Sequence, residues 1–313
     1  IKMKVDNRLQ TSVATGRFTL PVVTLICLML WIISLDSWRD LGTLFIVICT
    51  GYLMIEFNTA FTLIRTRTTL FVSLFLYLFS SLFFLHDFQL NSFIPLAFIL
   101  ALYQLCSSYE SPHASSYLFH AFLFLSIGSL CFPPLFYLIP LVVLGAFSFQ
   151  ALSIKSFFAG LLGIIAPYWI LFCYAFFVDQ MSLFYGPVHE LVNFKSIDYS
   201  CIPVNVWISW GYVTLLQLIG SVHYLMVAYQ DKTRPRSYMT FLMVAGCYIL
   251  CVVLLQPHHL YPFLSIQLIF TSFLMTHLFT LTRNRFSGIF FIVTFVSMIA
   301  LTCYNLWMLL FNF

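Results

Sequence analysis

From residue 18 onward the chain is a succession of apolar runs, each bounded by charge, proline or a polar cluster. A helix needs about 20 such residues to cross the hydrocarbon core of a bilayer, where every backbone polar group must be satisfied within the segment. Eleven runs are legible, at 18–35, 42–57, 69–86, 92–109, 115–132, 134–150, 157–178, 205–230, 238–256, 259–281 and 288–311. They predict an all-α fold: a polytopic transmembrane helix bundle of about 11 spans, with residues 1–313 forming a single integral membrane domain. Composition closes the soluble alternative. Of 313 residues 62% are hydrophobic and 8% are charged, and the mean hydropathy is +0.99, which leaves too little polar surface to coat a globule in water. No polar stretch approaches the roughly 40 residues that an independent soluble domain requires.

Loop charges set the expected orientation. Alternate loops of an eleven-span chain lie on opposite sides, and one set holds the N-terminal basic residues, Arg65 with Arg67, Lys155, the Lys232/Arg234/Arg236 cluster, and Arg283 with Arg285, twelve in all. Arg39 and Lys195 are the two on the other side. The excess of Lys and Arg marks the cytoplasmic face, so the N-terminus is expected inside and the C-terminus outside. Lys2, Lys4, Arg8 and Arg17 resemble the head of a signal peptide, but no small-x-small cleavage site follows, and an uncleaved first helix is expected. Between the fifth and sixth runs, Cys131-Phe132-Pro133-Pro134 must supply a tight turn, because proline has no N–H to continue the helix.

Phe (37) far outnumbers Gly (12), so close small-residue seams between helices are expected to be few, and no Gly-rich phosphate loop is present. The nine cysteines show no Cys-x-x-Cys or His/Cys ligand spacing, and no cofactor or metal is expected. A Cys131–Cys201 bridge on the outer side is compatible with the topology, although no spacing argues for it.

Ionisable groups at membrane depth are costly and are candidates for function. Glu56, His120, His223 and His277 fall towards the inner ends of their runs. One reading brings them together as a proton relay through imidazoles; the more economical one solvates each singly, with Glu56 neutralised by Arg65 or Arg67. On the outer side stand Asp36 and Asp40 around Arg39, then His86-Asp87, His189-Glu190 and His258-His259. Asp36 and Asp40 suit a catalytic base or a divalent-cation site, and His86, Asp87, His258 and His259 suit a zinc site, whereas the plainer reading has them wetting helix ends. The segment from Asp179 to Val204 is the one long loop; its residues 186–194 have apolar positions at helical spacing and read as a short interfacial helix, either a lid or a connector.

Arg65, Arg67, Arg283 and Arg285 form two Arg-x-Arg turns, read as topology anchors or as contacts to a lipid phosphate or a partner. Phe57, Phe61 and Ile64 are spaced for a helix continuing along the interface. These segments carry a resemblance. Asn58 to Thr68, with Leu-Ile-Arg-x-Arg-Thr, and Leu278 to Trp307, with Thr-Arg-x-Arg-Phe-Ser-x-Ile-Phe-Phe and a closing Asn305-Leu306-Trp307, resemble a family of multi-span inner-membrane proteins of Bacteroides-type bacteria that has no assigned activity. The resemblance implies a Gram-negative inner membrane and no mechanism. A fainter one, to polyprenyl-linked glycosyltransferases of the GT-C type, implies an acid just outside the first span, where Asp36 and Asp40 stand; those enzymes have a long first outer loop, and here it is about six residues. The expected function is a non-enzymatic subunit or accessory protein of a membrane complex, with a lipid-linked glycosyltransferase and a proton-coupled transporter as alternatives. Expected partners are membrane lipids and other membrane subunits. Nucleic acid is not expected, because the basic residues are scattered among loops.

Overall fold

The computed structural model describes residues 8–35, 37–192, 197–200, 202–282 and 285–311. Among these residues there is no strand, and thirteen α-helices follow one another: α1 (Arg8–Thr15), α2 (Thr19–Ile33), α3 (Asp40–Phe61), α4 (Leu70–Ser81), α5 (Ile94–Ser107), α6 (Ala114–Cys131), α7 (Ile139–Ser148), α8 (Ile154–Phe177), α9 (Ser182–Val192), α10 (Val204–Val227), α11 (Thr233–Leu255), α12 (Leu260–Leu281) and α13 (Arg285–Phe311). Eight helical segments are long and apolar enough to cross a membrane: those containing α3, α5, α6, α8, α10, α11, α12 and α13. Three shorter apolar ones, Thr19–Ile33, Leu70–Ser81 and Pro133–Ser148, coincide with the first, third and sixth apolar runs. Between α6 and α7 the two prolines open a 3₁₀ turn, Pro133–Leu138, so the tight connection is made without an interrupted helix.

The chain divides into two compact units. The first comprises Ile1–Phe88, Ser200–Gly246 and Gln267–Phe313. Its core is the second half of α12, buried continuously from Gln267 to Thr280 although it carries Gln, Ser, Thr and His. That is tolerable because the hydroxyls bond to their own helix: Thr271 to the Gln267 carbonyl at 3.0 Å, Ser272 to Leu268 at 2.7 Å, Thr276 to Ser272 at 2.7 Å and Thr280 to Thr276 at 2.8 Å. Phe273 of α12 stacks on Phe71 of α4 at 5.0 Å and meets Phe57 of α3 edge-on at 5.8 Å. Helices α10 and α12 run parallel, since Thr214 meets Gln267, Gly220 meets Leu274 and His223 meets His277 at a nearly constant offset. Asn305 of α13 donates to the Ser81 carbonyl of α4 at 3.0 Å and to Ser209 of α10 at 3.1 Å. Gln10 of α1 donates to the Phe279 carbonyl at 2.7 Å and to the Thr282 carbonyl at 2.9 Å, tying the N-terminal helix to the end of α12.

The expected helical continuation through Ile64 does not form. Helix α3 stops at Phe61, Thr62 is left-handed with φ 47°, and Asn58 Oδ1 accepts the Ile64 N–H at 3.2 Å. Leu63 and Ile64 are both buried, so the apolar spacing serves a turn packed on the core.

The second unit comprises Gln89–Tyr199 and Cys247–Ile266. Its principal contact is α6 against α8, where a Cβ on Gly163 would lie 2.4 Å from the Phe119 carbonyl oxygen and one on Gly160 would lie 2.6 Å from the Phe122 ring. This is a close glycine seam, of the kind the low Gly content leads one to expect only rarely. Ser126 then reaches the Ile164 carbonyl at 2.8 Å and Ser129 meets Tyr168 at 3.1 Å. Helix α9 forms within the long 179–204 segment, as its spacing predicts; none of its residues is buried, and Tyr137 holds it through the Leu191 carbonyl at 3.3 Å.

Gly163→Ala forces backbone apart and is expected to cost ~1–3 kcal/mol, read as a lower unfolding midpoint in bicelles. Gly211→Ala, at a position with nothing within 4 Å, should leave that midpoint unchanged.

Candidate functional site

Three segments far apart in sequence meet at Asp231. The carboxylate follows the 3₁₀ turn Ala228–Gln230 just ahead of α11, and its side chain is 3% exposed. Oδ1 accepts from Arg65 Nε at 2.9 Å, and Oδ2 accepts from His277 Nε2 at 3.0 Å. Arg65 sits beyond the left-handed turn that ends α3 and is 42% exposed, so one face of the ion pair reaches solvent while the other enters the core.

His277 is wholly buried. A carboxylate at Nε2 requires the proton on that nitrogen, which leaves Nδ1 with a lone pair. Nδ1 is buried and has no hydrogen-bond partner. The Tyr224 ring lies edge-on at 5.2 Å, with its hydroxyl donating to the Arg236 carbonyl at 2.8 Å, and the His223 ring lies at 6.1 Å. His223 repeats the pattern: Nδ1 is buried without a partner, and Nε2 is 3.4 Å from the Thr282 hydroxyl. The arrangement is a carboxylate that orients an imidazole and leaves an acceptor facing inward, beside a second imidazole.

Of the four inner residues singled out in the sequence, the structure therefore brings two together, His223 and His277. Glu56 is exposed on α3, and Arg65, one of its expected partners, is engaged by Asp231 instead. His120 lies on α6 of the other unit, bonded to the Ser116 carbonyl of its own helix at 2.7 Å. Arg67 is exposed; Arg283 and the side chain of Arg285 lie outside the described residues. Asp231 escapes the sequence reading because it directly precedes Lys232, Arg234 and Arg236, a cluster that reports topology. A single acid heading a basic cluster was the available signal.

On the outer side Asp36 lies outside the described residues. Asp40 is 5% exposed and opens α3, with Oδ2 accepting the Ser37 N–H at 2.9 Å and Oδ1 the Phe88 N–H at 3.3 Å. It closes a turn and favours the helix N-terminus by its charge. His86 is buried, stacked on Trp31 with ring centroids 3.8 Å apart, and its Nδ1 pairs with Ser34 Oγ at 2.5 Å. His189 and Glu190 are exposed on α9, and His259 meets Phe132 edge-on at 5.3 Å. Among the described residues no group of three or more His, Cys, Asp or Glu is placed to hold a metal ion. Cys131 ends α6, and a bridge from it to Cys201 falls outside the described residues.

Asp231→Ala strands a buried imidazole and an arginine at once. Because Arg65 is partly solvated, the expected loss is about 2 kcal/mol, below the range for a fully buried pair. Glu56→Gln should change stability by less than ~0.5 kcal/mol. Unfolding of both variants in bicelles checks this ranking of the two inner acids.

No protein-family model, no curated protein and no solved structure matches this chain.

Proposed function

We propose that the chain is a non-enzymatic subunit or accessory protein of a membrane complex in a bacterial inner membrane. The use made of its buried acids carries this reading. Both oxygens of Asp40 already accept backbone N–H groups, and both oxygens of Asp231 accept from Arg65 and His277. A general base or metal ligand needs an oxygen directed at its substrate or ion, so Asp40 suits helix closure better than the GT-C-like alternative.

The topology that goes with this reading has about 11 spans, the N-terminus in the cytoplasm and the C-terminus outside. Counting only the eight long helices leaves six basic residues on one side and eight on the other; counting the three shorter apolar ones restores twelve against two. The assignment to the inner membrane of Bacteroides-type bacteria rests on the resemblance of residues 58–68 and 278–307. The exposed apolar side chains of α8, among them Phe157, Leu162, Trp169 and Ile170, suit lipid or a neighbouring membrane chain. A second reading, a proton-coupled transporter, is favoured by the meeting of His223, His277 and Asp231 and draws nothing from Glu56.

Purification from native membranes in mild detergent is expected to yield an assembly larger than 36.2 kDa with at least one other membrane chain in constant ratio. Recovery of this chain alone contradicts the proposal. Envelope glycans of a strain carrying Asp36→Ala and Asp40→Ala should be unchanged, and their loss would favour the transferase.

A further inference from the structure

Nine buried side-chain nitrogen and oxygen atoms have no hydrogen-bond partner among the described residues, and all nine belong to the first unit. A buried polar atom left unpaired costs about 1–3 kcal/mol, so a cluster of them asks what they bind. Four lie on α10, Trp210 Nε1, both amide atoms of Gln217 and His223 Nδ1, with Gln267 Oε1 and His277 Nδ1 facing from α12. Trp210, Thr214, Gln217, Ser221 and Tyr224 form a stripe down one face of α10, ~21 Å long at the rise of a helix. Gln267 donates to Thr214 at 3.1 Å within it. The stripe ends at the His223–His277 pair.

We propose that His277 Nδ1 is a proton-binding site at the end of this stripe, oriented by the hydrogen bond that Asp231 accepts from Nε2. With His277 neutral, Asp231, Arg65 and His277 sum to zero charge. A hydronium ion gives its proton to the Nδ1 lone pair and leaves as water, and the triad becomes +1. His277, wholly buried, keeps its bond to Oδ2, and the added charge weakens the hold of Oδ1 on Arg65, which at 42% exposure solvent can stabilise. The groups around His277 are Asp231 ahead of α11, Arg65 after α3, His223 and Tyr224 on α10, and Arg236 on α11 near the Tyr224 hydroxyl. His223 is the next acceptor inward. The proposal requires neither a partner chain nor the eleven-span count, so failure of co-purification leaves it standing.

The test is residue-resolved deuterium exchange at the histidine C2 positions of the full chain in lipid nanodiscs, followed from about pH 4 to about pH 9. The His277 rate should trace a titration curve, and Asp231→Asn should move its midpoint by about one pH unit or more while leaving the buried, distant His86 profile unchanged. A His277 rate without an inflection, or a midpoint that Asp231→Asn leaves in place, overturns the proposal. Should the His86 profile show that Asp231→Asn is unfolded, Arg65→Gln is read by the same criterion, because it removes the Oδ1 contact and keeps the His277 bond to Oδ2.

Discussion

A carboxylate buried among membrane-spanning helices must be paired on both oxygens or be expelled, and Asp231 meets that demand by drawing on a guanidinium and an imidazole N–H from distant parts of the chain. Arg65 follows a helix terminated by a left-handed threonine, and His277 lies near the end of α12. The acid thus fixes the α3–α4 connection against the ends of α10 and α12. Gln10 adds the N-terminal helix to the same region by bonding to the carbonyls of Phe279 and Thr282.

The rest of the first unit follows the same constraint at lower cost. Polar residues of α12 return their hydroxyls to their own helix, which lets a helix rich in Ser and Thr occupy the core without partners from its neighbours. Where that device is absent, as at Gln217 and Gln267, amide atoms are left unpaired, and these mark the face that leads to the histidine pair. The second unit solves a different problem. Its α6–α8 contact depends on two glycines and on serine hydroxyls crossing between the helices, a geometry that brings backbones together without an ion pair.

Helical segments were legible because lipid imposes long apolar runs, and each of the eleven runs coincides with an apolar helical segment, eight of them long enough to cross. The Pro133-Pro134 turn and the short helix in the 179–204 segment were legible too, from backbone chemistry and spacing. Three features were not. Asp231 was hidden in a basic cluster whose charges already had a topological explanation, and its partners are 166 residues before and 46 residues after it in sequence. The Trp31–His86 stack joins residues that only tertiary packing brings together. The Gly160/Gly163 seam is not located by composition, because scarcity of glycine over the whole chain predicts few seams and says nothing about where they stand. Conversely Glu56, conspicuous as an acid inside an apolar run, faces outward and organises nothing in the core.

The claim on which the account rests is that Asp231 and Arg65 act as one unit. A double-mutant cycle of Asp231→Asn and Arg65→Gln, read as unfolding free energy in bicelles, tests it directly. The account predicts non-additivity of about 1 kcal/mol or more, the double variant being less destabilised than the sum of the singles. Additive effects would show that the two side chains contribute independently, and would contradict it.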